Sequence, residues 1–222
     1  FCVASAFVLH DYSCSTTLFS LCLLAISVVG TNLIIGLIEQ QKEMKHWKYS
    51  YRRVKANTHI FNALQKEQPL HPDDFTATTI SFGKKDSEHV VTVFSNPYCN
   101  PCARLHPHVH ALLDAGIRVQ YIFSAFNDEL LETNRYLIAA YQQLGEKKAF
   151  QIFDAWYKEE NKNQNSFFKA FNLDISTEDV QNELDRHAKW KETEGLHATP
   201  TILIDGKEMN DFYEIDDLEE IL

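Results

Sequence analysis

The chain has 222 residues, of which 45% are hydrophobic and 23% charged, and it carries a formal net charge of −10. Such a composition gives a folded protein with one well-buried domain and a smaller element beside it, and it excludes a disordered or repeat-built chain. The acidic balance excludes a nucleic-acid partner, because phosphate recognition needs a concentrated basic surface.

Charge is unevenly distributed along the chain. From Phe1 to Ile38 there is no Lys, Arg or Glu and a single Asp, so all 21 basic residues lie later. Leu18 to Ile38 is an uncharged run of 21 residues, and a helix of that length spans roughly the 30 Å hydrocarbon core of a bilayer. A transmembrane helix is predicted there. Cys22 falls inside it and reads as a small apolar packing residue, and Cys14 has no motif partner. The basic cluster Lys42, Lys45, Lys48, Arg52, Arg53 and Lys55 follows directly, as a juxtamembrane anchor to anionic head groups does. Glu39 to about Gln68 is polar, free of Gly and Pro, and predicts a helical stalk that Pro69 and Pro72 end.

Beyond the stalk the pattern alternates between strand and helix, so the fold class is α/β. Thr78 to Phe82 predicts a short strand and His89 to Ser95 a stronger one, with the near-continuous apolar content of a strand buried on both faces. Asn96-Pro97-Tyr98-Cys99-Asn100-Pro101-Cys102 follows at once. Leu105, Val109, Leu112 and Leu113 then recur at helical spacing up to Gly116, and Ile117 to Phe123 is the next strand. This is a β-α-β unit, for which a parallel, right-handed connection is expected. From Glu129 to about Gly195 the pattern is helical throughout, with its last helix opened by Ser176 and Asp179 at capping-box spacing. Thr201 to Ile204 and Lys207 to Met209 predict a hairpin about Asp205-Gly206, and Asp216 to Leu222 a closing helix.

Cys99 and Cys102 are the only cysteines after the apolar run. That excludes a structural disulfide framework and a four-cysteine zinc site. A thiol at a helix N-terminus faces unpaired N–H groups that lower its pKa, so Cys99 is predicted as the attacking thiolate. Cys102, one turn further on, is placed to attack a mixed disulfide on Cys99. Two other readings are open. His106 and His110 share a helix face with Cys102 and would complete a Cys₂His₂ metal set, or His106 would tune Cys99 when protonated. Alternatively the domain is a non-catalytic interaction module whose surface would include Trp156, Tyr157, Phe167, Phe168 and Phe171, although aromatics at helical spacing are more often core.

The Cys-x-x-Cys between strand and helix resembles the thioredoxin superfamily. Pro107 stands where thioredoxins carry a helix-kinking proline, and Thr199-Pro200 looks like the family's cis-proline loop, which offers backbone groups to an extended substrate. Tyr98, Asn100, Pro101, His106 and Pro107 are then active-site neighbours. At the position of the buried Asp of thioredoxins this chain has Val93. The helical insertion is similar to that of Dsb-type exported oxidoreductases. Asn96 to Cys102, the basic stalk and Lys191-Glu192-Thr193-Glu194 resemble the thioredoxin-like module fused to bacterial vitamin K epoxide reductase homologues, of the Bacteroidetes type.

That resemblance implies three parts: residues 1–41 as the end of a membrane domain with its span at about 18–38, a stalk at 42–72, and a thioredoxin-like domain at 73–222 with a helical insertion at about 128–195. It implies a thiol–disulfide oxidoreductase that oxidises exported proteins and passes electrons to the membrane domain, with a membrane-tethered reductase or isomerase as the alternative. No metal and no cofactor is expected in the thioredoxin-like domain; quinone is expected for the membrane domain, in which Cys2 would be a redox cysteine. The positive-inside rule by itself puts the basic stalk in the cytoplasm. The resemblance puts the soluble domain on the periplasmic side of the inner membrane, and that side is the expectation.

Overall fold

The computed structural model describes residues 2–71, 77–125, 127–160 and 162–222, with the side chains of residues 2–18, 128 and 129 outside that description. The chain divides into two compact units, Phe1–Val54 and Lys55–Leu222. Helix α1 (Cys2–Lys55) accounts for the first. Its part Phe19–Lys55 is long and apolar enough to cross a membrane, by length and composition. Phe19, Leu24, Ile26 and Leu33 are all exposed, as is Cys22. The side chains of Cys2 and Cys14 lie outside the described residues.

The single stalk expected over Glu39 to Gln68 is broken at Asn57, whose side chain accepts from the His59 and Ile60 N–H groups at 3.0 and 3.2 Å. An Asn that caps N–H groups starts a new helix rather than continuing the old one. Helix α2 (Thr58–Lys66) follows and buries Phe61 in the core of the second unit, edge-on to Tyr213 at 5.1 Å. Pro72, expected to end the stalk, lies outside the described residues.

The second unit is built on a five-stranded sheet. Its strands are β1 (Ser81–Phe82), β2 (Val90–Ser95), β3 (Arg118–Phe123), β4 (Thr201–Ile204) and β5 (Lys207–Glu208), in the order β1-β3-β2-β4-β5. β2 and β3 pair in parallel, and every other pairing is antiparallel. β2 is therefore central, and both of its faces are buried, as its near-continuous apolar content requires. The strand expected at Thr78 to Phe82 is reduced to two residues. The Thr78 hydroxyl lies 2.9 Å from the Tyr121 carbonyl, where a ladder bond is expected. At the β4–β5 hairpin Asp205 and Gly206 both have positive φ, 50° and 81°, as the two-residue turn demands.

Side chains on a strand alternate between faces. Phe94, Ile122 and Leu203 pack with Trp190 and Leu196 on one face, and Val91, Val93, Val119, Tyr121 and Phe123 join the larger core with Cys102, Leu105, Phe153 and Trp156. Between β2 and β3 the chain forms α3 (Asn100–Leu105), a 3₁₀ turn at His106–His108 and α4 (Val109–Asp114). The expected helix is thus interrupted at Pro107, which lacks an N–H to continue the ladder. The insertion consists of α5 (Asp128–Leu144), α6 (Glu146–Lys158), α7 (Gln164–Phe168) and α8 (Glu178–Glu194). α8 is capped by Thr177, which accepts from Val180 N–H. Ser176, expected in that role, is held by Asp174 (2.9 and 2.6 Å). The closing helix is short: a 3₁₀ turn, Ile215–Asp217, then α9 (Leu218–Ile221).

Glu183 of α8 ties the insertion to the sheet. It is fully buried and accepts from Thr79 N–H (2.5 Å) and the Thr78 hydroxyl (2.8 Å), with His187 one turn on. Burial pushes its carboxyl up, but the His187 hydrogen bond and charge, with those two donors, outweigh burial and hold it at about 2. A depressed carboxylate contributes stability that is present above its ordinary value of 4.5 and lost as pH falls towards about 2. Glu183→Gln is expected to cost about 1.5–3 kcal/mol at neutral pH, the range for hydrogen bonds to a charged group. Urea denaturation at pH 7 and pH 3 checks this: wild type loses stability between the two, and the variant loses less.

Candidate active site

The turn that carries the cysteines is set by its first residues. Asn96 receives the Tyr98 N–H on its side chain (2.8 Å) and the Cys99 N–H on its carbonyl (3.1 Å), which turns the chain out of β2. The Pro97 carbonyl accepts from the Trp156 indole N–H (3.0 Å), and the Tyr98 ring stands edge-on to Trp156 at 5.5 Å. α6 thus holds the turn from below.

Cys99 is the N-cap of α3, and Asn100 and Pro101 open the first turn, where a missing N–H costs nothing. Its sulfur accepts from the Cys102 N–H (3.3 Å), and its thiol donates to the Thr199 carbonyl (3.3 Å). Thr199-Pro200 is cis, so the expected loop is in place against the expected cysteine. Cys99 is half-buried and Cys102 buried, and both are free thiols. Burial first, and then the hydrogen bond with Cys99, pushes the Cys102 thiol up to about 12, against opposing hydrogen bonds from Asn96 N–H and the Ser95 hydroxyl. Cys102 is therefore a thiol at neutral pH.

The two alternative readings do not fit this geometry. His106 does not face the cysteines: its Nδ1 pairs with the Tyr121 hydroxyl (2.7 Å) and its Nε2 with Asp154 (3.0 Å), while His110 shares Asp154 (2.8 Å). The ring is buried and stacked on Tyr157 at 4.6 Å. Burial lowers its pKa despite Asp154, so the ring stays neutral and no imidazolium acts on Cys99. Both ring nitrogens are engaged, and among the described residues no three His, Cys, Asp or Glu side chains cluster as metal ligands. The interaction surface also dissolves, since Trp156, Tyr157 and Phe168 are buried, with Phe167 and Phe171 packed against that core.

The sequence reading missed Ser95 and Tyr157. Their hydroxyls lie 2.7 Å apart, buried, beside Cys102. Strand alternation signals Ser95, which falls on the face of Val93. Tyr157, 62 positions away, has no local signal. A cleft of about 540 Å³ opens beside the turn, lined by Tyr98, Asn100, Ala103, Arg104 and Tyr157.

Comparison with known proteins gives a consistent fold. A family model described as thioredoxin matches residues 75–222. No curated protein sequence matches. Among solved structures, ScsC of Proteus mirabilis in a transitional conformation aligns with a TM-score of 0.56 at 18% identity, over 83% of this chain and 89% of that one. Oxidised BdbD of Bacillus subtilis aligns at 0.55 and 13%, over 69% and 95% of the two chains. The thiol-disulfide exchange protein alpha-DsbA2 of Wolbachia pipientis aligns at 0.53 and 13%, over 77% and 95%.

Proposed function

The chain belongs to the thioredoxin family, and on that premise we propose that it is a membrane-tethered thiol–disulfide oxidoreductase that oxidises exported proteins through Cys99 and Cys102. The observation that carries this reading is the placement of one half-exposed thiol against the Thr199 carbonyl with a buried second thiol directly behind it. A substrate strand laid along the loop at Thr199 and Pro200 presents its sulfur to Cys99. Its thiolate attacks Cys99 Sγ, the Cys99–Cys102 bond breaks, and Cys102 leaves as a thiolate that takes up a proton. A second substrate thiolate attacks the mixed disulfide, the substrate disulfide forms, and Cys99 leaves with the electron pair. Two electrons then reside on the cysteine pair.

Those electrons are assigned to a quinone through a membrane domain like that of the vitamin K epoxide reductase fusions of Bacteroidetes, with α1 as the tether and Cys2 as a candidate relay cysteine. The support is the exposed apolar face of α1, the basic residues after it, and the resemblance of Asn96 to Cys102 and of Lys191 to Glu194 to that family. The quinone belongs to that membrane domain, and the thioredoxin-like unit carries no cofactor of its own. The soluble unit is placed on the periplasmic side of the inner membrane.

A second reading is a cytoplasmic reductant, favoured by the basic cluster Lys42 to Lys55 directly after the apolar run. The redox state of Cys99 and Cys102 in cells, trapped by acid quenching and alkylation with and without quinone, decides between them. A pair that is oxidised with quinone and becomes reduced on its depletion supports the proposal; a pair reduced under both conditions overturns it.

A further inference from the structure

Beyond the apolar run α1 continues as helix to Lys55, and residues 39–55 hold five apolar side chains. Four of them, Met44, Trp47, Tyr51 and Val54, follow one another at intervals of three, four and three, which lines them up on one face of the helix. All four are exposed, by 45% to 72%. Single apolar residues scattered over a surface are ordinary, whereas a contiguous stripe of them marks an interaction site. The bilayer does not cover this one. Trp47 lies nine residues past Ile38, about 13 Å along the helix, while the head-group layer adds only about 5–7 Å on each side of the hydrocarbon core.

The charges of the stalk keep off that stripe. With Met44 and Tyr51 at position a and Trp47 and Val54 at position d of a seven-residue repeat, Lys45 and Arg52 fall at b, Arg53 at c and Lys42 at f, all turned away from the seam. Between Glu39 and Val54 the only charged residues that flank the seam are Glu43 at g and Lys48 at e. They are opposite in sign and five positions apart, the offset at which g of one helix meets e of a parallel neighbour. Gln40 is the polar residue at a seam position, and such a residue fixes register. The same register runs back into the apolar run through Leu37, Leu33, Gly30, Ile26 and Leu23.

We infer that this face of α1 binds a second copy of the chain. The stripes from Met44 to Val54 of two parallel stalks pack against each other, and Glu43 of each copy pairs with Lys48 of the other. A single charge pattern that is self-complementary in parallel selects an identical helix as the occupant. Insertion in one membrane sets the two helices side by side and in the same direction, which removes part of the orientational cost of association. The basic residues at b, c and f point outward from the pair, so their mutual repulsion is spread over solvent and screened. Two thioredoxin-like units are then carried on one paired anchor.

The inference rests on the reading of α1 as a membrane tether, and site-directed photo-cross-linking of the full chain in membranes tests it separately. Trp47→benzoylphenylalanine is expected to give a band at twice the chain mass that contains only this chain's peptides. Tyr49→benzoylphenylalanine is the control, expected to give at least about tenfold less of that band because position f faces away from the seam. In the Trp47 probe protein, Glu43→Lys is expected to weaken the band about threefold or more at low salt, and Glu43→Lys with Lys48→Glu to restore it. These exposed positions lie outside the second unit, so its fold is not at risk. Equal cross-linking from positions 47 and 49, a Trp47 cross-link to lipid or to another protein, or an undiminished band in Glu43→Lys overturns the inference. If alkaline carbonate releases the wild type from membranes while the Trp47 band persists, the tether falls and the pairing stands. If the wild type resists carbonate and no such band forms, the pairing falls and the tether stands.

Discussion

Cys99→Ser is expected to reduce disulfide transfer to the uncatalysed background, a loss of at least ~10³-fold, because a serine hydroxyl supplies neither the nucleophile nor the electrophilic sulfur of exchange. The structure explains why Cys102 does not take over. It is buried under the turn, and burial pushes its thiol up to about 12, leaving almost no thiolate at neutral pH. Access to a substrate is confined to Cys99, whose sulfur lies 3.3 Å from the Thr199 carbonyl. The measurement is recovery of activity by a reduced, denatured, disulfide-dependent reporter enzyme incubated with oxidised wild type or with the variant. Equal recovery with both ends the proposal that this pair is the reactive centre. Circular dichroism is expected to be unchanged, since Ser retains an N-cap acceptor for the Cys102 N–H.

Cys102→Ser is expected to fail in the opposite way, by holding on to its substrates. In the wild type Cys102 lies one helical turn behind Cys99, its N–H 3.3 Å from the Cys99 sulfur, so resolution of a mixed disulfide is intramolecular. Well-oriented intramolecular groups act at effective concentrations on the order of 10⁵ M or more, whereas an added thiol works at about millimolar. Mixed disulfides are therefore expected to persist at least ~10³-fold longer in the variant. They are read as bands on non-reducing gels that collapse on reduction, and mass spectrometry of those bands identifies the partners. Absence of such bands in Cys102→Ser, with bands equally absent in Cys99→Ser, would show that Cys99 forms no mixed disulfide.

Local chemistry made much of the fold legible. The uncharged run from Leu18 to Ile38, the Val- and Phe-rich strand at Val90–Ser95, the Asp205-Gly206 turn and the helical periodicities of α5, α6 and α8 each arise from neighbours in the chain. Where the reading slipped, a short polar side chain had taken the place of a backbone partner. Asn57 split the stalk, Thr78 shortened β1, and Thr177 rather than Ser176 capped α8. Such residues offer the backbone several nearly equal local bonds, and tertiary packing chooses among them.

The site divides along the same line. The sequence by itself determined the candidate reactive atoms: two thiols one helical turn apart at a strand-to-helix junction, and a Thr-Pro step before β4. Only the tertiary structure decided what surrounds them. The Thr199 carbonyl meets Cys99 across 100 positions, His106 is drawn to Asp154 across 48 and away from the thiols, and Tyr157 reaches Ser95 across 62. Reactivity is a property of a side chain and its immediate neighbours along the chain. The desolvation and hydrogen bonding that set when a proton leaves Cys102 depend on which distant elements pack against it, and no local pattern carries that information.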